Sequence, residues 1–294
     1  MAETTRMATR EGTVAALVRE LTEMLAAASI EDAGREARDI VAAVHGEPRF
    51  WAALHENELV SAERAGECRR AATLRCAGAP FAYAVGVAAF RYLTLRVDER
   101  VLIPRQETEQ LVDEVLANQS TGLAIDIGTG SGAIVLALAS EGRYRRVIGT
   151  DVSRGALDVA AGNAARLAGA MRAPVEFRQG ALFAPLRGVR AQVVVSNPPY
   201  IAHDEAAALP GSVRDWEPPV ALFGAAGGMA IISSIIREAP DVLEAGGLLA
   251  LELDSRRASL AAELALADGR YRDVSVRLDL AGRERFLIAR RKDE

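Results

Sequence analysis

Short apolar segments alternate with helical segments from about residue 106 onward, and this alternation constrains the fold more than any other feature of the chain. The apolar segments have the length of strands and lie at 123–127, 146–150, 175–178, 192–196 and 248–253. The helical patterns lie at 106–117, 133–141, 154–168 and 229–244. Such alternation is typical of a parallel sheet that is covered by helices on both faces.

The end of the chain has a different pattern. Two further strand-like segments, 273–280 and 284–290, are separated only by Ala281-Gly282-Arg283. This spacing predicts an antiparallel hairpin. We therefore predict an α/β fold class, with a doubly wound sheet that ends in an antiparallel hairpin.

The first part of the chain contains helical patterns only, at 14–25, 33–44 and 61–74. We predict a small helical domain over 1–80, a β-hairpin linker over 81–105 and the α/β domain over 106–294. The linker is assigned because β-branched and aromatic residues alternate there around Gly86 and Asp98. The sequence leaves two interpretations of the helical domain open, a bundle with a packing role and a domain that recognises a substrate.

Charge and composition exclude several classes of function. The 294 residues carry a net charge of −5, which does not favour binding of nucleic acid by bulk electrostatics. Two cysteines without a CxxC motif and three scattered histidines give no support for a metal site. Because neither a signal peptide nor an apolar run of roughly 18–20 residues is present, we expect a cytoplasmic protein without a membrane partner.

A glycine-rich turn follows the first predicted strand. Its sequence is Asp126-Ile127-Gly128-Thr129-Gly130-Ser131-Gly132. Glycines allow a sharp turn and let a ligand lie against the backbone, and ligands of open parallel sheets bind at the carboxyl ends of the strands. Asp151 ends the second strand, where an acid can accept both hydroxyls of an adenosine ribose. The two features together favour a nucleoside cofactor, although Asp151 could instead cap the following helix.

The fourth predicted strand leads into Ser196-Asn197-Pro198-Pro199-Tyr200. Two consecutive prolines stiffen the chain and remove two N–H donors, so that carbonyl groups can face a ligand. Asn197 adds a side-chain carbonyl, and Tyr200 can form a wall. The segment therefore predicts a rigid pocket with hydrogen-bond acceptors for a planar NH₂ group.

These two motifs resemble those of the S-adenosylmethionine-dependent amino-methyltransferases with an (Asn/Asp)-Pro-Pro-(Tyr/Phe/Trp) motif. Within them, the chain is similar to the peptide chain release factor glutamine N5-methyltransferases. The likeness covers nearly the whole chain. Further matching segments are 102–109, with Ile103-Pro104-Arg105, and Glu217-Pro218, Gly246-Gly247 and 279–286.

The resemblance implies a methyltransferase-type sheet, S-adenosylmethionine as the cofactor and roles for individual residues. The turn from Asp126 to Gly132 would bind the methionine part of the cofactor, and Asp151 its ribose. Ala181 replaces the acid that usually reads the adenine, which leaves this contact to the backbone of Leu182. The catalytic residues would be those of the motif: Asn197, Pro198, Pro199 and Tyr200.

The resemblance also implies the substrate. The two hydrogens of a glutamine amide in a release factor would be accepted by the Asn197 side chain and the Pro198 carbonyl. Asn197 would also contact the cofactor. Tyr200 would flank the substrate side chain together with Phe90, and Arg105 would also contact the substrate. Two other substrates remain open. One is a small metabolite such as free arginine, whose guanidinium is also planar and which the extra acids Glu217 and Asp254 near the substrate region would favour. The other is an exocyclic amino group of a base. A non-catalytic binding module also remains open.

Overall fold

The computed structural model describes residues 10–293, which form two compact units. One unit contains the described residues up to Val87 together with Gly211–Trp216. The other contains Ala88–Pro210 and the chain from Glu217 onward. The short segment Gly211–Trp216 therefore lies in a different unit from the residues on either side of it, which the sequence pattern did not predict.

The first unit is mainly helical, as predicted. Its main elements are strand β1 (Arg10–Thr13), helix α1 (Val14–Ala27), helix α2 (Ala33–His45), strand β2 (Leu59–Ser61) and helix α3 (Ala62–Cys76). Short helices lie at Trp51–Leu54, Phe81–Val85 and Gly211–Arg214. The apolar faces of α1, α2 and α3 form the core, in which Leu21, Ile40 and Cys68 are fully buried.

The predicted hairpin of 81–105 is shorter than expected. Its strands are β3 (Val87–Phe90) and β4 (Leu93–Arg96). The preceding segment Phe81–Val85 is helical although aromatic and branched residues favour strands, and Gly86 ends this helix in the left-handed conformation. Arg91 forms the turn of the hairpin with a positive φ of 52°. Its side chain is held there by ion pairs with Glu141 and Asp113.

The second unit is an α/β fold around a seven-stranded sheet. Its remaining strands are β5 (Thr121–Ile127), β6 (Arg143–Asp151), β7 (Val175–Gln179), β8 (Ala191–Ser196), β9 (Leu243–Glu252), β10 (Tyr271–Leu278) and β11 (Glu284–Arg291). The strand order is β10-β11-β9-β8-β5-β6-β7. The five strands from β9 to β7 are parallel, while β11 and β10 are antiparallel to their neighbours. The predicted doubly wound sheet with a terminal hairpin is confirmed.

Helices cover both faces of this sheet. They are α4 (Gln106–Asn118), α5 (Ala133–Glu141), α6 (Arg154–Arg166), α7 (Met229–Glu238) and α8 (Ser255–Asp268). Because successive side chains of a strand point to opposite faces, Ala124 packs in the core with α4 and α5, whereas Ile125 packs in the core with α7 and α8. Helix α8 was not predicted, and β9 begins five residues before the predicted strand.

The strand register brings three loops together. Ile127 pairs with Thr150 on β6 and with Ser196 on β8. The three strands therefore end at the same level, and the residues that follow them lie side by side at the carboxyl edge of the sheet.

Candidate active site

A cavity of about 380 Å³ lies at this carboxyl edge. Its walls are formed by the glycine turn, the end of β6, the loop 180–182, the segment 196–199, the segment 100–102 and side chains of α7. The volume falls within the range of roughly 300–1,000 Å³ that is typical of small-molecule sites. The two motifs that the sequence singled out thus share one cavity.

The glycine turn presents its backbone to this cavity. Gly128 and Gly130 have positive φ angles of 76° and 54°, which glycine adopts without strain. A Cβ atom at either position would meet no other atom within 4 Å, so the turn leaves open space above its backbone. The N–H groups of Gly128 and Thr129 both donate to the Thr150 carbonyl at 2.8 Å. These bonds fix the turn on the end of β6.

Asp126 lies beneath the turn and does not line the cavity. Its side chain is fully buried, and Oδ2 accepts a hydrogen bond of 2.7 Å from the Thr129 hydroxyl. Burial raises the pKa of Asp126 to about 7, and the nearby charge of Asp151 adds to the rise. Asp126 therefore supports the turn from below.

The last two residues of the turn are also buried. The Ser131 carbonyl accepts a hydrogen bond from Asn163, and Gly132 packs against Ala160 on α6. The direct cofactor contacts of Asp126, Thr129, Ser131 and Gly132 remain predictions.

Asp151 lines the cavity and joins two loops. Its Oδ2 accepts from the Gly130 N–H and its Oδ1 from the Ser153 N–H, both at 2.9 Å. The cap of helix α6 is Ser153, whose hydroxyl accepts from the Ala156 N–H, and not Asp151. Asp151 is therefore left as an acceptor at the edge of the cavity.

Two residues that the sequence reasoning missed support this edge. Thr150 lines the cavity, and its buried hydroxyl has no hydrogen-bond partner among the described residues. Asn163 is fully buried in α6. Its amide accepts from Arg96 N at 2.7 Å and donates to the carbonyls of Arg96 and Ser131. A polar amide in the middle of a predicted helix was the available signal for Asn163.

The segment 196–199 forms the opposite wall. The Ser196 hydroxyl donates to the Ile127 carbonyl at 2.6 Å, which fixes the end of β8 to β5. Asn197, Pro198 and Pro199 line the cavity. Asn197 Nδ2 donates to the Thr108 hydroxyl at 3.1 Å, so its carbonyl oxygen is not used in this bond.

Tyr200 and the residues after it are tightly packed. Burial raises the pKa of Tyr200 to about 12, so its hydroxyl stays protonated at neutral pH. The Gly224 N–H donates to the Ile201 carbonyl at 2.9 Å. Neither Gly224 nor Gly228 has room for a side chain, because the Pro199 and Tyr200 carbonyls lie against them. This packing fixes the backbone of the motif, and the sequence reasoning did not identify it.

Three predicted substrate residues are not part of the cavity wall: Tyr200, Phe90 and Arg105. Phe90 is fully buried in the core that contains α4 and α5. Arg105 forms an ion pair of 2.5 Å with the buried Glu217, which also accepts from the Ile103 N–H. Their substrate contacts remain predictions. Leu182 does line the cavity, in a left-handed conformation with φ of 48°.

The cavity has no metal-ligand set among the residues that the structure describes. No group of three or more His, Cys, Asp or Glu side chains within 10–293 could hold a metal ion. His203, which is close to the motif in sequence, stacks on Phe223 with ring centroids 5.1 Å apart.

The helices within the described range are also too short or too polar to cross a membrane.

Curated relatives identify the family. The release factor glutamine methyltransferase of Moorella thermoacetica is 43% identical over 251 residues, which cover 84% of this chain and 87% of that protein. The same enzyme of Cereibacter sphaeroides is 40% identical over 90% of this chain and 94% of that protein. The chain belongs to the release factor glutamine methyltransferase family. The predicted resemblance is confirmed.

Family models agree with membership in the release factor glutamine methyltransferase family. Residues 106–209 match the methyltransferase small domain, and residues 16–86 match the PrmC N-terminal domain. The chain is therefore a methyltransferase, as predicted. A methyltransferase from Pyrococcus furiosus is similar in structure, with a TM-score of 0.52 and 19% identity over 70% of this chain and 92% of that one. That likeness concerns the fold.

Proposed function

We propose that this enzyme transfers a methyl group from S-adenosylmethionine to the N5 side-chain amide of a glutamine in a peptide chain release factor. The family to which the chain belongs supports the substrate. One observation carries the proposal: Asn197 and Pro198 line the same cavity as Gly130 and Asp151. An acceptor pair for a planar amide and a cradle for a nucleoside thus border a single space.

The residues of the cavity fit the cofactor. Open space above Gly128 and Gly130 lets a ligand lie directly on the backbone of the turn. Each oxygen of Asp151 accepts one N–H bond and keeps a further lone pair for a ribose hydroxyl. The backbone at Leu182 borders the cavity where the adenine would lie. When bound, S-adenosylmethionine supplies a methyl group on a sulfonium sulfur.

Asn197 and Pro198 would activate the amide. An amide nitrogen is a poor nucleophile because its lone pair is delocalised into the carbonyl group. Two acceptors on its hydrogens favour the state in which that lone pair is localised and positive charge develops on nitrogen. The rigid Pro198-Pro199 backbone and the fixed end of β8 hold these acceptors in place, and the proximity of a bound cofactor would then favour the transfer.

The proton needs no strong base. The sulfonium would keep the electron pair of its broken bond to carbon, and the amide nitrogen held by Asn197 and Pro198 would release one of its two hydrogens to water. An alkylated nitrogen with positive charge is acidic. The described residues that line the cavity include no histidine, which agrees with this route.

The charges near the cavity favour a neutral amide over free arginine. A guanidinium would need a carboxylate partner, and Glu217 and Asp254 were the candidates. Glu217 is paired with Arg105 and Asp254 with Arg257, each at 2.5 Å. Asp151 is the only acid among the described cavity residues, and its remaining lone pairs are assigned to the ribose of the cofactor.

We also propose that the helical domain of 1–80 contributes to recognition of the release factor. A single side chain in a pocket buries too little area for specific recognition of a protein, so a second contact surface is required. Methylation of a translation factor would place the enzyme in the cytoplasm.

The experiment is a methylation assay with two substrates. The full-length enzyme is incubated with S-adenosylmethionine and either a release factor or free arginine, and tandem mass spectrometry locates the added methyl group. We expect one methyl group on a glutamine side chain of the release factor. Turnover of arginine without methylation of the release factor would contradict the proposal.

A further inference from the structure

A chain of hydrogen bonds lies behind Asn197. Asn197 Nδ2 donates to the Thr108 hydroxyl at 3.1 Å. Glu252 lies next to Thr108, whose hydroxyl lowers the pKa of this carboxyl by hydrogen bonding, while Glu252 Oε2 has no hydrogen-bond partner among the described residues. Both partners are buried, Thr108 with 4% of its surface exposed and Glu252 with 1%. Three side chains from distant parts of the sequence thus form one buried polar chain.

The fold places these residues together. Thr108 lies in the first turn of α4, and Glu252 is the last residue of β9. Ser196 at the end of β8 pairs with Leu251 on β9, so Asn197 and Glu252 each follow one residue after this pair. The contact is therefore set by the strand register and by the position of α4.

The direction of the hydrogen bonds follows from the chemistry of the groups. A hydroxyl carries one hydrogen, and an ionised carboxylate carries none and can only accept. Thr108 must therefore donate its hydrogen to Glu252, and its oxygen is left to accept from Asn197 Nδ2. With Nδ2 held by Thr108, Asn197 Oδ1 is the end of the amide that remains for another partner.

We propose that Thr108 and Glu252 are positioning residues that hold the Asn197 amide in the one orientation in which Oδ1 accepts a hydrogen from the substrate. This inference rests on the proposed function for the nature of the substrate. A protonated Glu252 could instead donate to Thr108, and Thr108 could then donate to Asn197 Oδ1. The amide would turn over and present Nδ2, a donor that cannot accept a hydrogen from the substrate.

The surroundings of Glu252 raise its pKa, so that this carboxyl gains or loses its proton near neutral pH. Burial raises the pKa of Glu252 to about 7, and Glu107 on α4 also raises it. The pKa is lowered by the hydrogen bond from Thr108 and by the positive charges of Arg285 on β11 and of Arg105. Tyr200, which also interacts electrostatically with Glu252, stays protonated in this range. Activity should therefore fall as the pH decreases through about 7.

The first test compares substitutions at Thr108. Thr108→Val removes the hydroxyl and keeps the shape, and Thr108→Ser keeps the hydroxyl. We expect Thr108→Val to lower kcat at least tenfold with less than a twofold change in the Kd of S-adenosylmethionine, and Thr108→Ser to keep at least half of kcat. Thr94→Val, at an exposed strand position, is the matched control. Equal losses for Val and Ser, or half of kcat kept by Val, would overturn the proposal.

The second test needs no turnover. The side-chain NH₂ signals of Asn197, assigned by their loss in Asn197→Asp, are followed by NMR between pH 5.5 and 8.5. We expect one titration step near pH 7 in the wild type and none in Glu252→Gln or Thr108→Val. No step in the wild type, or the same step in both variants, would overturn the network. Absence of wild-type turnover would contradict the proposed function, while the NMR result would still decide the network.

Discussion

The Asp151 carboxylate accepts a hydrogen bond from the backbone N–H of Gly130, with 2.9 Å between Oδ2 and N. This bond joins the end of β6 to the glycine turn that follows β5. Both residues border the cavity, so the same carboxylate that fixes the turn is available to a ligand. Loss of this carboxylate should therefore affect cofactor binding directly.

We expect Asp151→Ala to weaken the binding of S-adenosylmethionine at least tenfold. The ribose hydroxyls would lose a charged acceptor, which is worth roughly 1.5–3 kcal/mol. Isothermal titration calorimetry measures the Kd. Asp241→Ala removes an exposed charge just before the amino end of β9, at the edge of the sheet opposite the cavity, and should leave the Kd unchanged. The same Kd for Asp151→Ala and the wild type would refute the ribose assignment.

Asn163 is expected to be a major source of stability for the site. Asn163→Ala removes the partner of the partly buried N–H and carbonyl of Arg96 and of the buried carbonyl of Ser131. We expect a decrease of about 3 kcal/mol in the free energy of unfolding, because unpaired buried polar groups are costly. Chemical denaturation measures it. Asn118→Ala, which removes an exposed bond within α4, should cost little. Equal stability of the two variants would contradict this role.

The buried Asp126 should make the protein less stable as the pH rises. Its pKa is about 7 in the folded state and close to 3.8 when unfolded, so between these values the folded state binds more protons than the unfolded one. The stability that this proton gives is present at low pH and is lost as the pH rises through about 7. Asp126→Asn cannot titrate.

We therefore expect the wild type to lose about 2 kcal/mol more than Asp126→Asn between pH 5.5 and 7.5. Urea denaturation at the two pH values measures this difference. A parallel pH dependence in the two proteins would show that Asp126 does not carry a raised pKa.

The parallel strands and the two motifs could be predicted because local sequence determines them. Apolar runs of strand length and glycines at strand ends are visible without tertiary context. The start of β9 was missed because Gly246-Gly247 interrupts the apolar run, although the strand continues through an irregular register from Leu243. Helix α8 was missed because Asp254 was interpreted as an acid near the substrate. In the structure its side chain caps this helix.

The parts of the site that could not be predicted depend on contacts between distant residues. Thr108 and Glu252 are 144 positions apart in the sequence, and nothing in either local pattern indicates that Thr108 contacts Asn197 or that Glu252 lies next to Thr108. The ion pair of Arg105 could not be predicted for the same reason. Its motif suggested a substrate contact, but its guanidinium is paired with Glu217, which lies 112 positions later in the sequence.

Recognition of a folded substrate should be visible in the kinetics. We expect the intact release factor to have a KM at least about 100-fold lower than a short peptide cut from it around the modified glutamine, because the peptide lacks the additional interface. Steady-state methylation of both substrates by the full-length enzyme measures this ratio. Similar KM values would show that the pocket alone determines affinity and would contradict the recognition role of residues 1–80.

The most direct test of the central claim is the rate of methyl transfer to a release factor by Asn197→Ala. Loss of one positioned acceptor should raise the barrier by about 3 kcal/mol, which lowers the rate roughly a hundredfold, with nearly unchanged binding of S-adenosylmethionine. Single-turnover assays with mass spectrometry of the glutamine measure this rate. If Asn197→Ala keeps more than about half of the wild-type rate, the amide is not activated by this pocket.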